Sequence, residues 1–417
     1  MTALIGFMKV LLVILDGAAG TAGEGMTALQ SARMPNLDMI SKRSRKGMMY
    51  PIEKGVAPES DAAVFSILGY SLEDYTGRGP LEAFGAGLDV NGTTLALRCN
   101  FATIDKSRNI IDRRAGRIHG AECKELEKSI NGIDLGIPKV SFVFRSTVGH
   151  RGVVVFNSDK AALPLSAQVS NADIGYTRKG NISVASESGS LLLPKVRALI
   201  NTESAERTAE ILNIFIDKSI AALSSADANR LRSEHGLLQA NAILMRDAGV
   251  SLPKVKSLPE LHGSSFAFIA EMPVEIGIAK LLGMEPIRLD PFAERQMRYE
   301  KMAELVLKNQ DAYDFIYVHI KGPDEPGHDG DSELKRKVLE EIDLHFFSRI
   351  SGISCRVCVT SDHATPCSMK AHSGDPVPLM VSGIGAPDAS MKFDERIGGK
   401  GSLGIIKGRD LLPRLFS

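Results

Sequence analysis

The side chains with the greatest chemical potential are acids and imidazoles gathered in three short segments far apart in the chain. Asp16 lies in VILDG, Asp324 and His328 in KGPDEPGHD, and Asp362, His363 and His372 in TSDHATPCSMKAHS. Together they offer three carboxylates and three imidazoles, enough to hold two divalent cations. Such donors suit Mn²⁺, Zn²⁺ or Mg²⁺, with histidine favouring the first two. Ser60, in PESDAAV, is a candidate to join them. Two cations beside a serine hydroxyl would stabilise its alkoxide and neutralise the oxygens of a phosphate under attack. Any one Asp-Gly or Asp-His pair is ordinarily a surface side chain or a cap. These gain weight because each cluster follows a run that reads as a buried strand. Ser60 has a plain alternative too, since PESD before the apolar AAVFSILGY is an ordinary helix N-cap. The same helix N-terminus would also favour an alkoxide, so one local geometry serves both roles.

The elements that must position these residues are legible from apolar runs. Val10–Leu15, Asp314–Ile320 and Arg356–Thr360 read as buried parallel strands, each running straight into site candidates. Ligands of open α/β sheets gather at the carboxyl ends of strands. Val377–Val381 is a further strand, but His372 precedes it, so a loop must carry that histidine back. Asp324 and His328 are four apart around Pro326 and Gly327, which predicts a loop or a helical turn starting at Pro326. Asp362 and His363 would diverge on an extended strand, so a shared site predicts a turn immediately after Thr360. Ser332–Phe346 carries Leu334, Val338, Ile342 and Phe346 as an apolar stripe, and Met297–Leu307 is similar. Strands alternating with helices predict an α/β fold with a doubly wound sheet.

The middle of the chain differs. Residues 89–261 contain none of these clusters and read as an inserted α+β domain, flanked by a discontinuous metal-binding domain of residues 1–88 and 262–417. Short β-like runs fall at Leu95–Ile104, Ser141–Arg145 and Gly152–Phe156, a helix at Ala205–Leu223, and a Gly/Ser-rich loop at Gly180–Ser190. The insert carries its own chemistry: Asp112, Arg113, Arg114 and Arg117 in DRRAGRI, Arg145, His150 and Arg151 in FRSTVGHRG, and Arg246 in ILMRDAG. Guanidinium forks bind phosphate and carboxylate bidentately. On spacing alone, scattered surface arginines are the favoured reading.

Bulk properties set the remaining bounds. The 417 residues are 44% hydrophobic, enough for a large core and for two domains. Fifty basic residues balance fifty acidic ones, so no global field draws the protein to nucleic acid or an anionic membrane. The apolar run Val10–Leu15 is far short of the ~20 residues of a membrane span. Five cysteines, an odd number in a long chain, suggest no disulfide framework and point to a reducing cytoplasm. Cys355 and Cys358 lie at an odd offset on a strand-like run, pointing to opposite faces, and read as buried small hydrophobes rather than a metal pair.

The chain resembles the archaeal type of cofactor-independent phosphoglycerate mutase, in the alkaline phosphatase superfamily. The likeness runs nearly full length through VILDGAAG, MPNLD, PESDAAVFSILGYSLEDYTGRGPLEAFGAG, RCNFATID, IIDRRAGRI, GHRGVVVF, ANAILMR, KGPDEPGHDGD and TSDHATPCSMKAHSGDPVP. The resemblance implies an alkaline-phosphatase-like domain with an inserted transferase-like substrate domain. It implies one cation held by Asp324, His328 and His372, and a second held by Asp16, Asp362, His363 and the Ser60 oxygen. It implies interconversion of 3-phosphoglycerate and 2-phosphoglycerate in glycolysis and gluconeogenesis, through phosphoserine at Ser60 and without 2,3-bisphosphoglycerate. Arg113, Arg145, His150, Arg151 and Arg246 would bind substrate, and Asp112 would transfer a proton or orient a hydroxyl. A metal-dependent phosphomonoesterase on the same scaffold is the alternative, or a weakly active paralogue. The sequence departs from the family pattern at three places: Glu59 replaces a glycine before Ser60, Asp247 replaces a glycine after Arg246, and Ile276 replaces a lysine. Lys280 lies one helical turn beyond Ile276.

Overall fold

The computed structural model describes residues 9–159, 164–185, 191–290, 294–389 and 391–416. The chain divides into two compact units. One comprises the described residues up to Asp74, Val255–Glu271 and Ile278 onward; the other comprises Tyr75–Lys254 and Met272–Gly277. The helix Arg78–Gly85 falls with the second unit because it packs on that unit's sheet.

The first unit is built on eight strands: β1 (Val10–Leu15), β2 (Ser44–Tyr50), β3 (Phe266–Ile269), β4 (Glu285–Pro286), β5 (Phe315–Ile320), β6 (Arg356–Ser361), β7 (Val377–Ser382) and β8 (Gly404–Lys407). Their order is β4-β3-β5-β1-β6-β7-β2-β8. Only β7 runs against the rest. β1, β5 and β6 are buried along their whole length, which is why they read as continuous apolar runs rather than alternating ones. Leu11, Val13 and Leu15 pack against the helices Pro35–Lys42, Arg295–Asn309 and Ser332–Ile342. Leu12 and Ile14, on the opposite face, are equally buried. This is the doubly wound α/β architecture expected from the sequence.

Register decides where the chemistry falls. Leu15 of β1 pairs with Ile320 of β5 on one side and Ser361 of β6 on the other. The three central strands therefore end level, and Asp16, Lys321 and Asp362 leave the sheet side by side. β6 continues through Ser361, so the predicted turn after Thr360 comes one residue later, at Asp362.

Two helical readings are corrected. The helix from Ser332 ends at Ile342 and continues as a π-turn, Asp343–Phe347. Val338, Ile342 and Phe346 are buried, but Leu334 is 38% exposed, because the buried stripe of the helix runs through Lys335, Val338, Leu339 and Ile342 and leaves Leu334 at its margin. Cys358 is buried and Cys355, just before β6, partly so; neither is bonded to another cysteine.

The second unit has a five-stranded antiparallel sheet. Thr94–Ile104 pairs with Ile110–Asp112, Arg151–Ser158 and Ala242–Gly249, and Val140–Ser146 pairs with Arg151–Ser158. Alternation along Thr94–Ile104 divides its faces. Leu95, Leu97, Cys99 and Phe101 join a core with the helices Ala121–Asn131 and Glu203–Ser224. Ala96, Arg98 and Asn100 face the other way. Part of the predicted Gly180–Ser190 loop is a strand: Ile182–Ala185 pairs with Tyr176–Lys179 around Gly180, whose φ of +62° suits a hairpin turn. Residues 186–190 of that segment lie outside the described residues.

Candidate active site

Asp16 begins the turn after β1, and Gly17 next to it is required twice over. Its φ is +58°, and a Cβ there would stand 2.6 Å from Asp324 Oδ1 and 2.6 Å from Thr365 Oγ1. The Gly17 amide donates to Asp362 Oδ1 at 3.0 Å, as does His363 N at 3.1 Å. Lys335, buried on the helix Ser332–Ile342, donates its ammonium to the carbonyls of Ala19 at 3.3 Å and Thr365 at 2.7 Å, tying the loops after β1 and β6 together.

The helix α1 (Ser60–Ile67) starts with Ser60 itself; Glu59 is the N-cap and makes no side-chain cap bond. The capping alternative for Ser60 thus gives way to a different contact: its Oγ lies 3.1 Å from His363 Nε2. α2 (Asp324–Asp329) begins at Asp324, two residues before the predicted start at Pro326, and places Asp324 and His328 one turn apart on one helix face.

Asp324, His328 and His372 form one cluster, with donor atoms all within 4.8 Å of one another. His328 Nε2 is 3.4 Å from Asp324 Oδ2, and His372 Nε2 is 3.5 Å from Asp324 Oδ1. His372 Nδ1 donates to the Pro58 carbonyl at 2.7 Å and His328 Nδ1 to the Lys370 carbonyl at 3.1 Å. Carbonyls only accept, so both Nδ1 atoms carry hydrogen, and both Nε2 atoms face each other at 3.1 Å. Two bare lone pairs cannot stay that close; a proton or a metal cation must lie between them. Accordingly, although burial opposes its charge, His372 is raised to about 9 by its hydrogen bond and charge contact with Asp324. Burial likewise works against Asp324, but His372 holds it well below the usual carboxylate range.

Asp16 and Asp362 make the second cluster, and His363 faces both. Its Nε2 is 3.6 Å from Asp16 Oδ1 and 3.4 Å from Asp362 Oδ2. Each carboxylate gives one oxygen to the chain and leaves the other, Asp16 Oδ1 and Asp362 Oδ2, buried without a hydrogen-bond partner. Burial and the neighbouring Asp16 push Asp362 up to about 7. Burial also disfavours the Asp16 anion, but Lys321, with Nζ 3.2 Å from Asp16 Oδ2, lowers it on balance. Burial and His372 hold His363 down to about 3, a neutral imidazole. Two orphaned carboxylate oxygens facing a neutral imidazole nitrogen fit a divalent cation.

Sequence reasoning missed three residues here. His319 lies on β5, two residues after Tyr317, and Lys321 directly follows the strand; that polar alternation running out of a buried strand was the available signal. Thr365 joins the clusters: its hydroxyl donates to Asp324 Oδ1 at 2.7 Å and lies 3.0 Å from His363 Nδ1. Glu59 stands 4.0 Å from His372 Nδ1. Lys280 is exposed.

The second unit gathers its arginines into two groups. Arg113 donates to Asp173 at 2.8 Å, while Arg246 lies 3.5 Å over the Tyr176 ring and 3.4 Å from Asp247. Arg246 also sits directly across the strands from Arg98. Burial, then Arg246 and Arg78, depress Arg98 to about 10, with Glu82 in opposition. Burial, then Arg151, Arg114, Arg98 and Arg117, hold His150 down to about 3. Like charges opposed across strands destabilise a sheet, and an anion would relieve them. Asp112 accepts from the amides of Arg114 at 2.7 Å and Gly116 at 2.8 Å, shaping its own loop. Arg145 is engaged separately, on the Ala86 carbonyl at 2.5 Å.

Residues 41–229 match the family model described as 2,3-bisphosphoglycerate-independent phosphoglycerate mutase. A protein of that name from Aeropyrum pernix is 42% identical over 98% of this chain and 99% of its own. Among solved structures, a Pyrococcus horikoshii protein superposes with a TM-score of 0.75 at 28% identity, covering 98% of this chain and 96% of its own. The cofactor-independent phosphoglycerate mutase of Thermoplasma acidophilum gives 0.58 at 29% identity, covering 98% of both chains. With a relative this similar along its whole length, the chain belongs to the 2,3-bisphosphoglycerate-independent phosphoglycerate mutase family.

Proposed function

We propose that the protein interconverts 3-phosphoglycerate and 2-phosphoglycerate, without added 2,3-bisphosphoglycerate, through a phosphoserine at Ser60. One observation carries the reading: a serine hydroxyl at a helix N-terminus, 3.1 Å from His363 Nε2, among two carboxylate-imidazole clusters built by the level ends of β1, β5 and β6. Ser60 Oγ forms the new bond to phosphorus as the phosphorus–oxygen bond to glycerate breaks. The serine proton leaves and the freed glycerate oxygen gains one. Glycerate then presents its other hydroxyl, and the same exchange runs in reverse, so no phosphate is consumed.

The residues placed to hold one cation are Asp324, His328 and His372, and those placed to hold the other are Asp16, Asp362, His363 and Ser60 Oγ. When bound, Mn²⁺, Zn²⁺ or Mg²⁺ would supply charge neutralisation around the serine and phosphate oxygens. The chain's own groups set the rest. The N-terminus of α1 favours negative charge on Ser60. Lys321 offers an ammonium beside the second cluster, 3.2 Å from Asp16 Oδ2. In the second unit, a transferase-like substrate domain, Arg113, Arg145, Arg151 and Arg246 with neutral His150 recognise the carboxylate and phosphate, and Asp112 fixes the loop that presents Arg113. Free cysteines suit a reducing cytoplasm. Among the described residues no helix is long and apolar enough to cross a membrane.

The test is an enolase-coupled assay on Mn²⁺-reconstituted protein, run beside a phosphate-release assay. Production of 2-phosphoglycerate without free phosphate is the expected result. Accumulating phosphate would make the protein a phosphomonoesterase instead, and silence in both assays a paralogue without this activity.

A further inference from the structure

His319 lies outside every motif that pointed to the site, yet it is buried at the second cluster. Its Nδ1 is 2.7 Å from the Tyr317 hydroxyl, two residues back on the same face of β5. Its Nε2 makes no hydrogen bond. That nitrogen stands 3.8 Å from Asp16 Oδ1 and 3.6 Å from Asp362 Oδ2, beyond hydrogen-bonding range. These are the same two carboxylate oxygens that lack partners and that His363 Nε2 faces. A histidine serving only the core would be satisfied by its neighbours; here three buried polar atoms confront one another unbonded, an arrangement that costs free energy while nothing lies between them.

The spacing identifies what belongs there. Ligand atoms around a tetrahedral cation with bonds of about 2.0–2.2 Å sit roughly 3.3–3.6 Å apart. The contacts from the two imidazoles to the two carboxylate oxygens run from 3.4 to 3.8 Å. The tautomer also agrees. Each of His328, His363, His372 and His319 has its Nδ1 against an oxygen, of Lys370, Thr365, Pro58 and Tyr317 respectively, and its Nε2 turned into a cluster.

We propose that His319 is a further ligand of the cation held by Asp16, Asp362 and His363, closing an N₂O₂ set of protein donors. The Ser60 hydroxyl, 3.1 Å from His363 Nε2, would then be a fifth donor to that cation. The proposal rests on the two-cation reading above. It also gives both cations two imidazoles, which disfavours Mg²⁺ relative to Mn²⁺ or Zn²⁺ at either cluster.

The experiment is crystallography of the zinc-loaded protein with anomalous scattering, paired with chelator competition for zinc in solution. The expected map has one peak at each cluster, with His319 Nε2 within bonding distance, about 2.0–2.2 Å, of the peak between Asp16 and Asp362. His319→Gln, folded by circular dichroism, is expected to bind zinc at least about tenfold more weakly at that cluster and unchanged at Asp324. A peak there with the imidazole more than about 3 Å away, well outside a zinc–nitrogen bond, overturns the proposal, as does wild-type affinity at both clusters in His319→Gln. Absence of any peak at Asp324 or at Asp16 would sink the two-cation reading itself, a separable failure.

Discussion

Thr365→Val isolates a contact that serves both clusters at once. Valine keeps the shape and volume of threonine, which matters because Gly17 and Gly327 approach the Thr365 side chain closely. What changes is one hydroxyl, buried, that donates to Asp324 Oδ1 at 2.7 Å and meets His363 Nδ1 at 3.0 Å. The first bond orients a ligand candidate of one cation and the second a ligand candidate of the other. Removing such an outer partner costs roughly tenfold to a hundredfold in metal affinity, or about 1.4–2.8 kcal/mol. Because the hydroxyl is shared, both dissociation constants rise together. The metal-free fold loses about 1–3 kcal/mol as well, since the His363 Nδ1–H is left buried without its acceptor. Titration of free Mn²⁺ by electron paramagnetic resonance reads both constants. Thr365→Ser, which restores the hydroxyl, is expected to return both towards wild type. Wild-type affinities in Thr365→Val, or equal weakness in Thr365→Ser, would refute the argument that this oxygen organises both clusters.

Other consequences are open to simpler measurement. Ser60→Ala should lower mutase turnover by about three orders of magnitude or more while still binding two cations through the carboxylates and imidazoles; normal turnover would remove the serine from the chemistry. Gly17→Ala should lower stability by about 1–2 kcal/mol from its left-handed backbone alone, with the Asp324 and Thr365 contacts adding to that; an unchanged melting temperature would contradict the close packing of this turn. His150, held down to about 3 from 6.5 by burial and four arginines, leaves the unfolded chain binding a proton that the folded chain refuses between those values. Stability therefore falls as pH drops through that window, by about 2 kcal/mol at pH 5. In His150→Gln the slope of denaturation free energy against pH should flatten there, and an unaltered slope would assign the acid sensitivity elsewhere.

How much could be read from the chain depends on what each signal encodes. The central strands were legible because burial on both faces makes them uninterrupted apolar runs, and Val10–Leu15 emerges with those very limits. The clusters were legible because their residues are few in kind and directly follow those runs. What could not be read was register. Only the pairing of Leu15 with Ile320 and Ser361 brings Asp16, Lys321 and Asp362 abreast, and nothing local in HIKGPDEPGHD announces that His319 and Lys321 lie beside Asp16. Thr365 was hidden similarly: a threonine among turn residues carries no sign of bridging two acids' neighbourhoods. In the insert, Arg98 sits in a strand read for its apolar face, while its partner Arg246 lies far along the chain.

The buried ammonium of Lys335 has a wider implication. It spans the carbonyls of Ala19 and Thr365 from a helix that contributes no ligand candidate of its own. Closure of these loops and attachment of that helix to the sheet are thus one cooperative event. Whatever tightens the loops should slow amide exchange along the helix, and whatever frays the helix should weaken the grip of the loops by the same free energy. The helix Ser332–Ile342 becomes a remote place from which the reaction centre can be tuned without touching it.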